Sequence, residues 1–266
     1  MINYVNADSL TYLKNIKDNS VKLILTDPPY GINFHGKYDP DSKWDCFAEN
    51  EFFNFNALWM KECYRILSDD GSFWCFCGPT KRNIIIEAAE SVGFIFHIEN
   101  WKSIQRQKGR GSKNKPKSLR EDILHFSKSD NYLIKDIGNP FNSDTTTCTN
   151  MLNLSTGKVE RPQFNINDKI FYFKMPYYLS KTEKMIHSTQ KSVLLLSAIV
   201  LACSDKNDTV VDPFMGSGSC GIACNILDRD FIGIEKDNEM KIKAECWLKS
   251  FDREAYLKEF FKNGVI

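Results

Sequence analysis

Two short stretches hold residues whose types and spacing can do chemistry. The first is Asp27-Pro28-Pro29-Tyr30, placed directly after the apolar run 21–25. The carboxyl end of a strand in an open α/β sheet is where reacting groups gather. Pro28 pushes Asp27 toward extended geometry, and two successive prolines stiffen the loop, so the carboxylate and nearby carbonyls are fixed without N–H donors from those prolines. An amino group conjugated with a ring is a poor nucleophile and needs acceptors for its hydrogens as it turns pyramidal. Asp27 and a proline carbonyl supply them, and Tyr30 offers a flat face on which a base taken out of its stack can rest. The same four residues would also make a tight strand-ending turn with a partly buried tyrosine.

The second stretch is Asp212-Pro213-Phe214-Met215-Gly216-Ser217-Gly218, between the apolar run 209–211 and a helical segment. Glycines there let the backbone approach a nucleoside-like ligand closely. Glu235 ends the next apolar run, close to the roughly 20-residue offset at which an acid binds ribose hydroxyls. Together they describe an adenosine pocket, with a glycine-softened turn and no ligand as the plain alternative. Gly216, Gly218 and Gly221 also satisfy the G-x-G-x-x-G dinucleotide pattern. A nicotinamide-binding fold opens with that fingerprint, whereas here it comes late and behind Asp212-Pro213-Phe214, which favours S-adenosylmethionine.

The elements that must position these loops follow from periodicity. Runs 21–25, 73–77, 123–126, 209–211 and 231–234 read as buried strands, and 51–67, 81–91, 191–203, 219–227 and 238–251 as helices. Alternation of the two is the signature of an α/β sheet covered by helices on both faces. From 102 to 120 the chain carries Lys102, Arg106, Lys108, Arg110, Lys113, Lys115, Lys117 and Arg120 with no acid before Glu121, and reads as a mobile basic loop. The stretch 129–186 is rich in Asn, Thr and Ser, lacks helical period, and reads as an inserted module.

Composition bounds the rest. A chain of 266 residues with 42% hydrophobic residues buries one sizeable core. Lys and Arg number 35 against 34 Asp and Glu, so a nucleic-acid partner must be met by a local basic surface such as that loop. The nine cysteines form no CxxC pair and no metal-ligand spacing, so no metal is expected. A polar start and the lack of any apolar stretch near the roughly 20 residues of a membrane span point to a soluble protein of a reducing cytoplasm.

These residues resemble the amino DNA methyltransferases, whose marks are a DPPY catalytic loop, here Asp27 to Tyr30, and an FxGxG cofactor loop, here Phe214, Gly216 and Gly218. The catalytic motif precedes the cofactor motif, which is similar to the group called β and to adenine methyltransferases of bacterial restriction-modification systems. His187-Ser188-Thr189-Gln190-Lys191 resembles the family's HPTQK segment, with Ser188 for the usual proline. Asp8-Ser9 looks like the acidic motif near the cofactor adenine, and Trp101-Lys102 with Glu121 like the stretch flanking the basic loop.

The resemblance implies a Rossmann-like S-adenosylmethionine-dependent methyltransferase fold: a mostly parallel seven-stranded sheet with helices on both faces, permuted motif order and a small inserted recognition module. Residues 1–128 would form the catalytic half, 129–186 target recognition, and 187–266 the cofactor half. It implies catalysis by Asp27, Pro28, Pro29 and Tyr30. Cofactor contacts would come from Asp8, Asp212, Phe214, Gly216, Ser217, Gly218, Glu235, Thr189, Gln190 and Lys191, and phosphate contacts from the basic loop. The partner is double-stranded DNA, with a paired restriction endonuclease and a homodimer as further expectations. Asp rather than Ser at position 27 points to the 6-amino group of adenine over the 4-amino group of cytosine. Methylation of a ring carbon would need a nucleophilic thiol after proline, and no Pro-Cys pair occurs. The readings set against this are a catalytically silent nucleic-acid-binding subunit, an RNA substrate and a nicotinamide-dependent dehydrogenase.

Overall fold

Strand β2 shows how the sheet is built, because its residues are buried on both sides: Leu23 and Leu25 enter one hydrophobic core, Val21 and Ile24 the other. Such a strand reads as a continuous apolar run and demands helices on both faces. The computed structural model describes residues 1–33, 45–98, 102–105, 120–135, 137, 151–152, 159–160, 186–187 and 189–261. In chain order the strands are β1 (Ile2–Asn6), β2 (Val21–Thr26), β3 (Leu67–Cys77), β4 (Ile95–Phe96), β5 (Lys102–Gln105), β6 (Arg120–Ser127), β7 (Met151–Leu152), β8 (Val159–Glu160), β9 (Thr209–Asp212) and β10 (Asp230–Glu235). The helices are α1 (Ser9–Tyr12), α2 (Glu49–Ile66), α3 (Arg82–Ser91), α4 (Val193–Cys203), α5 (Ser219–Ile226), α6 (Asn238–Ser250) and α7 (Arg253–Phe260).

The main sheet runs β1-β10-β9-β2-β3-β6, with β4 and β5 both on the outer edge of β6. The first five strands are parallel, and β6 is antiparallel to β3. Strand β4 faces Phe126 and Ser127 while β5 faces 120–123, so the two share one position along β6. The sheet therefore has seven positions, mostly parallel, as the family resemblance implies. Helices α1 to α3 close one face and α4 to α7 the other. Strands β7 and β8 form a separate antiparallel pair within the inserted stretch.

Neighbours β9 and β2 lead in opposite directions, β9 through α5 to β10 on one side and β2 through α2 to β3 on the other. A crevice opens at such a switch point, beyond the carboxyl ends of the strands. Asp27 follows β2 and Asp212 ends β9, so both motifs are delivered there.

The structure also refines boundaries. Ser192 caps α4 by accepting from the Leu195 amide at 3.5 Å, which leaves Lys191 before the helix instead of inside it. Residues 129–135 belong with the sheet domain: the amides of Leu133 and Lys135 donate to the carbonyls of Asp70 (3.1 Å) and Ala202 (2.8 Å). Most of 138–185 and the basic loop from Arg106 to Lys117 lie outside the described residues, which include only the strand backbone at Lys102 and Arg120. Among the described residues no helix is long and apolar enough to cross a membrane.

Candidate active site

The crevice holds a cavity of about 720 Å³ that reaches from Asp27, Tyr30 and Lys191 at one end to Asp8, Glu235 and Asp237 at the other. Asp27, Pro28, Pro29 and Tyr30 all line it, as do Asp8, Thr189, Gln190, Lys191, Asp212, Phe214, Gly216, Ser217 and Glu235. Gly218 does not. At φ +78° it lies behind the wall, where an added Cβ would stand 2.9 Å from the Tyr4 hydroxyl and 3.1 Å from the Ala244 Cβ. Tyr4 also donates to the Gly218 carbonyl at 3.1 Å, so this glycine serves close packing of the loop against β1 and α6. Gly216, at φ +50°, meets nothing within 4 Å, and its missing Cβ leaves open space beside the cavity.

At the first end, Asp27 is half-buried and holds two partners. Its Oδ1 accepts from the Tyr30 hydroxyl at 2.6 Å, and its Oδ2 pairs with Lys191 Nζ at 2.7 Å. Lys191, only 5% exposed, also lies 3.3 Å from Oε1 of the fully buried Glu121 and 3.3 Å from the Tyr30 oxygen. Phe76 and Tyr30 flank the ammonium, with ring centres at 5.1 and 5.5 Å. A lysine so buried needs partners for its charge, and two carboxylates supply them. Burial raises the Asp27 pKa above the ordinary carboxylate value, with the Lys191 charge opposing and Glu121 adding to the rise. Burial likewise lifts the Tyr30 hydroxyl well above its usual value, so it stays a donor.

At the glycine loop, Asp212 Oδ1 accepts from Thr26 Oγ1 at 2.7 Å and from the Phe214 amide at 3.1 Å, which ties the end of β9 to the end of β2. Burial pushes the Asp212 carboxyl up to about 7 against those two hydrogen bonds. Glu235 accepts from the amides of Gly216 (2.9 Å) and Asp237 (2.8 Å), so one carboxylate shapes both the glycine loop and the start of α6. Burial raises its pKa as well, and those amides restrain the rise. Phe214 turns its ring toward Trp59 and Phe55, at centroid distances of 5.2 and 5.9 Å. Ser9 donates to the Pro213 carbonyl, and Asp8 begins α1 beside it.

The segment around Lys191 is folded on itself. Thr189 Oγ1 lies 2.9 Å from His187 Nδ1, and the buried Gln190 accepts from the Ile186 amide at 3.0 Å. Burial and the nearby Lys191 charge hold the His187 pKa below its ordinary value. Ser188 lies outside the described residues.

Glu121 is marked only by the Trp101-Lys102 to Glu121 resemblance, and Asp45, Phe47 and Phe55 carry no mark in a motif. Glu121, the second residue of β6, meets the buried Lys191, a pairing that the resemblance does not disclose. Asp45 accepts from the amides of Gly31 (2.7 Å) and Ile32 (3.1 Å) and so clamps the end of the diproline loop. Phe47 and Phe55 complete an aromatic wall, Phe55 and Trp59 falling on one face of α2 at helical spacing.

Charge decides what the cavity accepts. Its wall carries six carboxyl groups, on Asp8, Asp27, Glu121, Asp212, Glu235 and Asp237, of which Asp212 keeps its proton up to about pH 7, against the ammonium groups of Lys191 and Lys236. A ligand carrying positive charge suits such a wall, and the pyrophosphate of a dinucleotide would be repelled by it. The one cavity is lined both by the glycine loop and by Asp27.

Comparison with known proteins agrees with this geometry. The family model described as DNA methylase matches residues 21–245. The Type II methyltransferase M1.MboII of Moraxella bovis is 31% identical over 253 residues, covering 91% of this chain and 94% of that protein. The Type II methyltransferase M.HpaI of Haemophilus parainfluenzae is 30% identical over 234 residues, covering 88% and 69%. Among solved structures, the M1.HpyAVI–SAM complex superposes with a TM-score of 0.63 at 25% identity over 93% of this chain and 99% of that one. The cytosine-N4-specific PvuII DNA methyltransferase shares the fold, with a TM-score of 0.67 at 16% identity over 97% of this chain and 90% of that one.

Proposed function

The chain belongs to the DNA methylase family, and from that premise we propose that it transfers a methyl group from S-adenosylmethionine to the 6-amino group of adenine in DNA. The observation that carries the reading is one acidic cavity with the glycine loop along its length and the Asp27 carboxylate, fixed in a diproline loop, at its end. A silent binding subunit would have no use for that arrangement, and a dehydrogenase would need a wall that tolerates pyrophosphate.

S-adenosylmethionine fits the residues present: the open space at Gly216 admits close approach, and the carboxylates favour a sulfonium. Gly216 and Ser217 would take the backbone side of it, Glu235 the ribose hydroxyls, Asp8 the adenine end, and Thr189, Gln190 and Asp212 the methionine end. When bound it supplies a methyl group made electrophilic by positive sulfur, the C–S electron pair staying on sulfur as the new N–C bond forms. The protein's own residues prepare the amine. Tyr30 carries the flipped base, and Asp27 with a carbonyl of the proline pair accepts the two amine hydrogens, which frees the nitrogen lone pair. The methylated nitrogen then gives one proton to Asp27, whose raised pKa suits it as acceptor.

Asp at position 27 favours adenine over cytosine. Residues 1–128 and 187–266 act as the two halves of the transferase, the basic loop contacts phosphates, and the inserted stretch reads the target sequence in a restriction-modification setting. The test of the site is Asp27→Ala: methyl transfer to DNA should be lost while calorimetric titration still shows cofactor binding. Substantial residual transfer would remove Asp27 from its role.

A further inference from the structure

Lys191 lies beside the acceptor for the target amine, and this placement has a consequence for which bases the site admits. Its backbone is pinned at the entrance of α4 by the Ser192 cap, and its side chain is packed between Phe76 and Tyr30. Nζ stands 2.7 Å from Asp27 Oδ2, with Glu121 at 3.3 Å and the Tyr30 oxygen at 3.3 Å. An ammonium has three hydrogens. The Asp27 contact is the short one, Glu121 Oε1 is an ion-pair partner at 3.3 Å, and the contact to the Tyr30 hydroxyl, itself donor to Asp27 Oδ1 at 2.6 Å, is long at 3.3 Å. A hydrogen bond to an incoming acceptor would displace the long Tyr30 contact at least cost.

We propose that Lys191 donates this hydrogen bond to the ring nitrogen next to the target amine, so that Asp27 and Lys191 together read the amidine edge of the flipped base. This rests on the reading of the site as an amino-methyltransferase and names what selects its substrate. In an amidine, the exocyclic nitrogen and the ring nitrogen are separated by one carbon, so their partners must stand side by side, acceptor next to donor. The Asp27 and Lys191 head groups do stand so. A base resting on Tyr30 reaches them at its rim, because both head groups gather at the phenolic end of that ring. Adenine and cytosine present the matching donor and acceptor. Thymine and guanine present a carbonyl beside an N–H, so the carboxylate would face an oxygen and the ammonium an N–H, which is a penalty on both contacts. Glu121, a second carboxylate 3.3 Å from Nζ, acts as a positioning residue.

The test compares DNA duplexes carrying the mapped site with adenine or 1-deazaadenine as the target. Replacing that ring nitrogen by C–H keeps the amine and makes it more electron-rich, so electronics alone would speed transfer. The wild-type protein should instead lose roughly 10- to 100-fold in kcat/KM on the analogue, the worth of one hydrogen bond to a charged group. Lys191→Met should be slow on adenine and handle the two duplexes alike within about twofold, while Lys191→Arg should keep the discrimination. Should Lys191→Met be too slow to time, dissociation constants for the two duplexes with S-adenosylhomocysteine present give the same ratio without chemistry. If the mapped target is cytosine, 3-deazacytosine takes the place of the analogue. No wild-type penalty, or an equal penalty in Lys191→Met, overturns the role of Lys191 while the methyltransferase reading stands. Failure of that reading shows separately, as no methyl transfer to the unmodified duplex by wild-type protein that binds cofactor.

Discussion

Alanine at Gly216 and at Gly218 should do opposite things, although the two glycines belong to one motif. Both have positive φ, +50° and +78°, so either alanine costs about 1–2 kcal/mol in backbone strain. At Gly216 the new methyl meets no protein atom within 4 Å, and strain is the whole cost to the fold. That corresponds to a fall in Tm of roughly 2–8 °C for a chain of this size. At Gly218 the methyl presses on the Tyr4 hydroxyl at 2.9 Å and the Ala244 Cβ at 3.1 Å, which adds about 1–3 kcal/mol of overpacking. Gly218→Ala should therefore melt clearly lower than Gly216→Ala. Cofactor affinity should follow the reverse order: Gly216→Ala fills space that the ligand needs and should bind S-adenosylmethionine at least about tenfold more weakly, a loss of about 1.4 kcal/mol. Folded Gly218→Ala should lose less. Differential scanning calorimetry and isothermal titration on the two variants measure both quantities. Wild-type affinity in Gly216→Ala would refute the placement of the cofactor on this loop.

Asp27→Ala removes an amine acceptor, and single-turnover transfer should fall by roughly 10²- to 10³-fold or more with cofactor affinity kept; a fall below tenfold would contradict its role. Folded Asp212 holds its proton up to about pH 7, the unfolded chain only to about pH 4. Its contribution to stability is therefore full below pH 4 and declines as pH rises to 7. Asp212→Asn keeps an acceptor for Thr26 and has no such decline. Between pH 5 and 7 the wild type should lose roughly 2 kcal/mol relative to the variant at about 1.4 kcal/mol per unit, which chemical denaturation at the two pH values reads directly. Neutralising Lys113, Lys115 and Lys117 together should weaken DNA binding and reduce the slope of log K against log salt by about 0.9 for each lost phosphate contact, about 2.7 in all. An unchanged slope would make the basic loop ordinary surface.

What the sequence disclosed and what it hid follow from the range of the forces involved. Strands β2 and β9 were legible because both of their faces are buried, which forces a nearly continuous apolar run, broken in β2 only by Lys22 near its start. The diproline loop and the glycine loop were legible because stiff φ angles and positive φ angles demand particular residue types. Strand β1 was not: Ile2–Asn6 is short and half polar, and it is made a strand by pairing with β10, more than two hundred residues away. Glu121 and Asp122 look alike in sequence, yet successive residues of β6 face opposite ways, so one reaches Lys191 and the other Arg82. Lys191 itself read as part of a helix at a cofactor segment. The Ser192 cap, which starts α4 at Val193, leaves Lys191 outside the helix, and its ammonium pairs with Asp27. Nor does the motif distinguish Gly216 from Gly218, since which glycine faces the ligand depends on Tyr4.

The central claim is that this protein methylates an exocyclic amino group in DNA through Asp27. It is tested most directly by incubating wild-type protein and Asp27→Ala in parallel with unmethylated genomic DNA and radiolabelled S-adenosylmethionine, then chromatographing the digested nucleosides. Label in 6-methyladenine for the wild type and none for the variant is the predicted result. Label in 4-methylcytosine would keep the site and change the base. No label in either nucleoside, from wild-type protein shown to bind the cofactor, would contradict the account.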